Sequence, residues 1–299
     1  MKIVHHGVEN IPVMGKRPLY AVIGTPIAQS MSPVIHNSSF AHLGIDGDYI
    51  ALDLQTDELK DAFAKFRTGG YGGINVTMPH KNAVIEYLDE LSDGARLMGA
   101  VNTIEFRDGK LIGHNTDAIG LLGEIAKVGG QIKGCTTLII GAGGTGAALI
   151  TQAALDGAQR LIHANRPGPN LEAARDRAGE LTELTGVPID VVELGSSEFL
   201  TAVREAAIII DCTMVGMGKL AELTNVPPEL IRADHIIVDT VYYPRVTRLL
   251  ADARLAGART VDGLAMLVAQ AAYGEKIWLN VDMPFDVVET ALEKAQTKD

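Results

Sequence analysis

Residues 136–155, TTLIIGAGGTGAALITQAAL, join a short apolar run to a glycine-rich turn and an alanine-rich stretch. The run Thr136–Ile140 has the length of a buried strand, and Ala147–Leu155 has the composition of a helix. Between them, Gly141-Ala142-Gly143-Gly144-Thr145-Gly146 fits the G-x-G-x-x-G pattern. Glycines permit a tight turn and let the backbone approach a pyrophosphate, whose charge then meets free amides at a helix start. The segment predicts a dinucleotide-binding turn, and a purely structural turn is the alternative.

Short β-branched runs alternate with longer amphipathic stretches on both sides of this segment, which is typical of parallel strands joined by helices. After Thr136–Ile140, the sequence predicts strands near Arg160–Ala164, Ile189–Val192, Ala207–Asp211 and Ile236–Asp239. The predicted fold class is therefore α/β with two domains, one N-terminal α/β domain and one Rossmann-type, doubly wound domain. We expect the first domain to comprise residues 1–118 plus about 263–299, and the second to comprise residues 119–262.

The first domain contains residues that typically start helices, end helices or form turns. Ser32 followed by Pro33 predicts a helix start with Ser32 as the N-cap, and Gly44 predicts its end. Arg107-Asp108-Gly109 predicts the turn of a β-hairpin. Lys81 follows a third predicted strand, so we expect it at the carboxyl end of that strand.

Composition narrows the function classes. The chain has 299 residues, 47% of them hydrophobic, and a formal net charge of -11, so we expect a folded protein with no nucleic-acid partner. No run is long enough for a membrane span, and the first twenty residues lack the apolar core of a signal peptide. The two cysteines, Cys135 and Cys212, suit a reducing compartment. We expect a cytoplasmic protein.

The nature of the dinucleotide depends on the residues after the second strand of the Rossmann-type domain. An acidic residue there would bind the ribose hydroxyls of NAD, but the sequence reads His163-Ala164-Asn165-Arg166. The Arg166 guanidinium can pair with a ribose 2′-phosphate, which favours NADP. A solvated loop arginine is the alternative.

Two further residues could move a proton. Lys81 and Asp117 follow predicted strands, where open α/β sheets place ligands. An ammonium beside a carboxylate can donate a proton to a forming alkoxide and take it back, although each residue alone is more often a surface charge. No G-x-S-x-G motif supports a serine nucleophile, and the scattered histidines predict no metal site.

Several motifs in one order, from about Tyr20 to Trp278, closely resemble the shikimate dehydrogenase family, including its quinate/shikimate branch. These motifs are Gly24-Thr25-Pro26-Ile27, Ser30-Met31-Ser32-Pro33, Asn75-Val76-Thr77-Met78-Pro79-His80-Lys81, Gly99-Ala100-Val101-Asn102-Thr103, His114-Asn115-Thr116-Asp117, the glycine turn, Asn165-Arg166, Thr213-Met214-Val215-Gly216-Met217, Val241-Tyr242-Tyr243-Pro244 and Gly263-Leu264-Ala265-Met266-Leu267-Val268-Ala269-Gln270.

The resemblance implies a substrate-binding catalytic domain, a nucleotide domain, and NADP-linked interconversion of 3-dehydroshikimate and shikimate on the route to chorismate and aromatic amino acids. It makes Lys81 and Asp117 the catalytic pair, with Asn75 and Asn115 bracing the site. The residues that it implies for the substrate are Ser30, Ser32, Thr77, Asn102, Asp117, Tyr242 and Gln270. Those that it implies for the cofactor are Gly141, Ala142, Gly143, Gly144, Thr145, Gly146, Asn165, Arg166, Thr213, Met214, Val241, Gly263 and Met266.

Departures from the family pattern keep alternatives open. Pro167 and Gly168 follow Arg166 where biosynthetic members continue with threonine and basic residues, and the acid that binds NAD in the quinate branch is absent. Val215 before Gly216 is nearer to that branch, so NAD and quinate remain the alternative cofactor and substrate. A catalytically inactive sensor, or an enzyme acting on folates or amino acids, is an alternative of another class. A homodimer is one possible assembly.

Overall fold

The computed structural model describes residues 4–13 and 17–296, and the chain divides into two compact units. The first unit comprises residues 1–116 and 270–299, and the second comprises residues 117–269. The sequence places the domain boundaries at residues 118 and 263, whereas the chain passes between units at 116/117 and 269/270. The boundary at 269/270 could not be predicted from a turn, because it lies inside one continuous helix, Gly263–Leu279. The predicted first domain also includes residues 1–3, 14–16 and 297–299, which lie outside the described part of the chain.

The first unit is built on a seven-stranded mixed sheet. Its strands are β1 (Val4–His6), β2 (Leu19–Gly24), β3 (Asp48–Asp53), β4 (Tyr71–Val76), β5 (Glu90–Leu91), β6 (Thr103–Arg107) and β7 (Lys110–His114). They lie in the order β1-β3-β2-β4-β6-β7-β5, with β1 to β4 parallel and β6 antiparallel to both neighbours. Helices α1 (Ser32–Leu43), α2 (Leu59–Thr68) and α3 (Asp93–Met98) connect them, and short 3-10 turns lie at Val8–Asn10, Thr56–Glu58 and Ala83–Tyr87.

Local signals explain two connections in this unit. The β6–β7 hairpin turns at Asp108 and Gly109, both with positive φ, as the Asp-Gly pair predicts. Gly44 ends α1 in the left-handed conformation. The prediction that Ser32 caps α1 is wrong, because Met31 is the N-cap and Ser32 is already helical. The Ser32 backbone N–H instead donates to the Ser30 hydroxyl at 3.3 Å.

The second unit contains a six-stranded, fully parallel sheet in the order β10-β9-β8-β11-β12-β13. Its elements are α4 (Asp117–Lys127), β8 (Thr136–Ile140), α5 (Gly144–Leu155), β9 (Arg160–Asn165), α6 (Pro169–Thr185), β10 (Ile189–Glu193), α7 (Ser197–Glu205), β11 (Ile208–Asp211), β12 (Ile236–Asp239), α8 (Arg248–Leu255) and β13 (Arg259–Val261), with 3-10 turns at Gly218–Leu220 and Pro228–Leu230. In chain order this is the 3-2-1-4-5-6 arrangement of Rossmann domains. The predicted α/β class with a Rossmann-type domain is confirmed.

The strand order determines where the second unit can bind a ligand. From β8 the chain adds β9 and β10 on one side, and then β11, β12 and β13 on the other, so the strand order reverses between β8 and β11. Ligands of open α/β sheets bind beyond the carboxyl ends of the strands at such a switch point. The glycine turn follows β8 at this point, and Thr213 comes shortly after β11.

The carboxyl-terminal helices complete the first unit. They are α9 (Gly263–Leu279), which begins in the second unit and ends in the first, and α10 (Phe285–Gln296). The Trp278 indole N–H donates to the Ile104 carbonyl at 3.0 Å, which attaches the end of α9 to β6.

Candidate active site

The glycine turn after β8 has the geometry of a phosphate-binding turn. Gly141 has φ of +102°, a conformation that favours glycine, and a Cβ at Gly146 would overlap the Gly141 carbonyl oxygen. A Cβ at Gly143 or Gly144 would meet nothing within 4 Å, so this part of the turn is open. Gly143 is the N-cap of α5 and no side chain caps the helix. The turn and the uncapped helix start therefore fit the pyrophosphate of a dinucleotide.

A buried histidine holds this turn, and the sequence analysis missed it. His163 on β9 lies with Nε2 3.1 Å from the Gly141 carbonyl oxygen. Burial lowers the pKa of His163, which favours the neutral ring. Because the partner is a carbonyl, Nε2 carries the hydrogen and donates. A histidine between the apolar residues Ile162 and Ala164 was the available signal.

The predicted 2′-phosphate residues follow the neighbouring strand. Asn165 ends β9 and is half-buried, and its carbonyl accepts a hydrogen bond from Leu194 N–H at 2.9 Å. Arg166 is exposed, and Gly168 precedes α6 without a side-chain cap. Since β8 and β9 are paired and parallel, Arg166 leaves the sheet at the same edge as the glycine turn.

The remaining predicted cofactor residues also lie in the second unit. Thr213 and the exposed Met214 follow β11, and the buried Val241 follows β12. A Cβ at Gly263 would overlap the backbone of residues 240–241, so glycine allows the start of α9 to pack closely against that segment. Met266, on the first turn of α9, is buried.

Two buried carboxylates support the loops after β11 and β12. Asp211 accepts hydrogen bonds from Thr213 N–H and the Asn225 amide, both at 2.9 Å. Asp239 accepts from Val241 N–H at 3.0 Å and from the Thr247 hydroxyl at 2.6 Å. Burial raises the pKa of the Asp211 carboxyl. Burial, together with the charge of Asp211, raises the pKa of Asp239 to about 6.

A polar network in the first unit, half-buried at its serine end and buried at its asparagine end, joins three predicted substrate residues. The Ser30 hydroxyl donates to Ser32 at 3.3 Å, and Ser32 donates to the Tyr49 hydroxyl. Tyr49 donates to Asn75 Oδ1 at 2.6 Å, and Asn75 Nδ2 donates to the Asn102 carbonyl at 3.2 Å. Burial holds the pKa of Tyr49 well above its usual range, so the phenol stays protonated. Tyr49 was not predicted as a site residue, because an aromatic residue in a strand is usually part of the hydrophobic core.

The orientation of the Asn102 amide is fixed. Its Oδ1 accepts from Thr116 N–H at 2.8 Å, from the Thr116 hydroxyl at 3.2 Å and from the Thr103 hydroxyl at 3.0 Å. Three donors on the oxygen identify the other end of the amide, Nδ2, as the hydrogen-bond donor of this side chain.

The loop that carries Lys81 is held on three sides. Thr25 N–H donates to the Met78 carbonyl at 3.2 Å, and Val101 N–H donates to the Lys81 carbonyl at 2.8 Å. The buried His80 ring bonds the Leu54 carbonyl at 2.7 Å. Lys81, itself half-buried, therefore extends from an anchored backbone next to Val101 and Asn102, which precede β6.

The other predicted residues are placed as follows. Thr77 and Gln270 are half-buried in the first unit, and Tyr242 in the second unit is 45% exposed. Asp117 is half-buried at the start of α4 and directly follows Thr116, whose backbone is bonded to Asn102. Asn115 donates to the Ala100 carbonyl at 3.1 Å. The peptide link thus keeps the Asp117 backbone close to the polar network.

Neither a metal cluster nor a membrane helix is found within residues 4–13 and 17–296. No three His, Cys, Asp or Glu side chains there could hold a metal ion together. None of the helices described is both long and apolar enough to cross a bilayer.

Known proteins resemble the chain along most of its length. A family model described as the shikimate dehydrogenase substrate binding domain matches residues 22–104, and one described as the shikimate 5′-dehydrogenase C-terminal domain matches residues 263–293. A shikimate dehydrogenase (NADP(+)) of Streptococcus pyogenes serotype M2 is 40% identical over 283 residues, which cover 93% of this chain and 97% of the relative.

Two solved structures are similar along nearly their whole length. Shikimate 5-dehydrogenase from Listeria monocytogenes, in complex with shikimate and NAD, has a TM-score of 0.89 at 36% identity and covers 94% of this chain and 98% of its own. Ligand-free 5-ketofructose reductase of Gluconobacter sp. strain CHM43 has a TM-score of 0.84 at 30% identity, with coverage of 94% and 100%. The class of protein is therefore oxidoreductase. Within that class, the chain belongs to the shikimate dehydrogenase family, and the resemblance seen in the sequence is confirmed.

Proposed function

We propose that the chain catalyses the reversible NADP-linked reduction of 3-dehydroshikimate to shikimate. The observation that carries this proposal is the 40% identity, over 93% of the chain, to a relative named shikimate dehydrogenase (NADP(+)). The polar network from Ser30 to Asn102 supports it, because neutral donors and acceptors held in fixed orientations suit the hydroxyls and carboxylate of a polyhydroxylated ring acid.

The proton chemistry is assigned to Lys81 and Asp117. When bound, NADPH supplies a hydride to the carbon of the ring ketone, and the reaction consumes one proton. The Lys81 ammonium donates that proton to the ketone oxygen and is reprotonated from solvent, while Asp117 orients the reacting hydroxyl. The anchored backbone on either side of Lys81 supports this role, since a general acid must be held at a fixed position.

The substrate and cofactor residues follow from the same alignment of motifs. Ser30, Ser32, Thr77, Asn102, Tyr242 and Gln270 hold the carboxylate and the hydroxyls of the ring acid. The cofactor pyrophosphate lies on the glycine turn, and Arg166 pairs with the 2′-phosphate. The exposure of Arg166 at the sheet edge that carries the glycine turn supports this pairing.

NAD is the second candidate cofactor. The Listeria structure at 36% identity contains shikimate and NAD, and Pro167 and Gly168 add no positive charge beside Arg166. Quinate is the second candidate substrate, because Val215 precedes Gly216 as in the quinate branch. We also propose a cytoplasmic location, which is supported by the free thiols of Cys135 and Cys212, and light scattering would distinguish a monomer from a homodimer.

Initial rates of the purified full chain test the proposal. Nicotinamide absorbance is followed with shikimate and with quinate, each against NADP and NAD, and with 5-ketofructose against NADPH because of the Gluconobacter neighbour. The fastest rate is expected with shikimate and NADP. Comparable rates with quinate or NAD would instead assign the chain to the quinate/shikimate branch of the family. If shikimate binds in calorimetry but no combination of substrate and cofactor is turned over, the alternative of a catalytically inactive sensor would be supported. Turnover of 5-ketofructose alone would reject shikimate as the substrate.

A further inference from the structure

A carboxylate with no solvent exposure links two helices of the first unit. Glu275 on α9 lies with Oε1 2.8 Å from His36 Nδ1 and accepts a hydrogen bond from the Ser39 hydroxyl on Oε2 at 2.6 Å. His36 and Ser39 both lie on α1, and all three side chains are fully buried. Both carboxylate oxygens are therefore used to hold α9 against α1.

Each end of this link is close to a proposed substrate residue. His36 lies four residues after Ser32 on α1, about 6 Å along the axis, and Glu275 lies five residues after Gln270 on α9, about 7.5 Å along the axis. A helix moves as a stiff rod over such distances. Fixing Glu275 to α1 therefore fixes the spacing between Ser32 and Gln270.

A second path leads from His36 to the same serine. The imidazole stacks on the Tyr49 ring, with centroids 4.2 Å apart and planes 17° from parallel. Tyr49 in turn accepts a hydrogen bond from Ser32 and donates to Asn75. Within the described residues, His36 Nε2 has no hydrogen-bond partner, so Glu275 is the polar anchor of the ring.

We propose that Glu275 is a positioning residue for substrate binding: through His36 and Ser39 it sets the relative placement of Ser32 and Gln270. This rests on the proposed function. Both hydrogen bonds can survive in E275Q, because the amide oxygen accepts from Ser39 and the amide nitrogen donates to His36 Nδ1 in its other tautomer. In E275L neither can form, so the positioning is lost.

The test compares steady-state kinetics of the full chain and its variants. E275L is expected to raise KM for shikimate about tenfold, the effect of about 1.4 kcal/mol of lost binding, while kcat and KM for NADP stay near wild type. E275Q is expected to keep KM near wild type. F66L is the matched control, because Phe66 is a buried core residue of the same unit outside this link, and its truncation destabilises without touching the network.

Two further variants sharpen the result. Adding E275L to Q270A should raise KM less than E275L does alone, since a missing side chain cannot be mispositioned. If E275L does not fold, S39A, which removes one of the two hydrogen bonds, is expected to raise KM about threefold.

Equal KM values for E275L and F66L, additive effects with Q270A, or failure of E275Q to restore KM would each overturn the proposal. A wild-type chain that neither binds nor oxidises shikimate would instead reject the proposed function itself.

Discussion

The pH dependence of stability should depend strongly on Asp239. This carboxyl is buried beneath the loop after β12, and its pKa is raised to about 6, mainly by burial. In the unfolded chain the same group titrates near the ordinary aspartate pKa of 3.8. The folded state therefore binds the proton more tightly than the unfolded state. The resulting stabilisation is fully present below pH 4 and is lost as the pH rises through 6.

The size of this effect follows from the two pKa values. A difference of about 2 pKa units corresponds to about 3 kcal/mol of unfolding free energy. About 2 kcal/mol of that loss falls between pH 4.5 and pH 7.5, because the unfolded carboxyl is already mostly ionised at pH 4.5. In Asp239→Asn the titration is gone. The amide oxygen can still accept from Val241 N–H, and any change in the Thr247 hydrogen bond is the same at both pH values.

Urea unfolding followed by circular dichroism at pH 4.5 and 7.5 measures the effect. The free energy of unfolding of Asp239→Asn, minus that of wild type, should rise by about 2 kcal/mol between the two pH values. Asp176→Asn, which removes an exposed carboxylate from α6, is the control and should give no such rise. If the free energy of unfolding of Asp239→Asn, minus that of wild type, is the same at pH 4.5 and pH 7.5, the reasoning is refuted.

Further predictions concern the glycine turn and one exposed glycine of α6. His163→Val removes the donor to the Gly141 carbonyl, so KM for NADP should rise about fivefold with KM for shikimate unchanged; equal cofactor affinity in calorimetry would disprove the role of His163. Gly146→Ala should abolish measurable NADP binding, because its Cβ overlaps the Gly141 carbonyl, and retained binding would argue against the close approach. Gly179→Ala, an exposed position in α6 with no neighbour for the new Cβ, should instead raise the free energy of unfolding by about 0.5–1 kcal/mol, as measured by urea denaturation.

Features set by neighbouring residues could be predicted from the sequence. The strands Thr136–Ile140 and Ile236–Asp239 have the predicted bounds, and the turn at Asp108 and Gly109 follows from two adjacent residues. Strand β13 was missed because three residues are too few for a period to appear. The N-cap assignment of Ser32 failed because the helix begins one residue earlier: the Met31 carbonyl already accepts the first helical hydrogen bond, from Ile35 N–H at 3.0 Å.

The candidate site could be predicted only in part, for a similar reason. Its motifs are local, so Lys81, Asn102 and the glycine turn could be found by pattern. The residues that hold them depend on contacts between distant parts of the chain. His36 and Glu275 are separated by 239 positions, and His163 lies 22 positions from the carbonyl that it holds. No spacing in the sequence indicates such pairs.

The central claim, that Lys81 supplies the proton in an NADP-linked reduction, is tested most directly by the turnover of Lys81→Ala with shikimate and NADP. The matched control is Lys60→Ala, which removes an exposed lysine from α2, and circular dichroism verifies that both variants fold. We predict that kcat of Lys81→Ala falls by about 10²–10⁴, the usual contribution of a positioned acid or base, because in this direction Lys81 accepts the proton that it donates in the reduction; Lys60→Ala turns over like wild type. Turnover of folded Lys81→Ala at the wild-type rate would contradict the account.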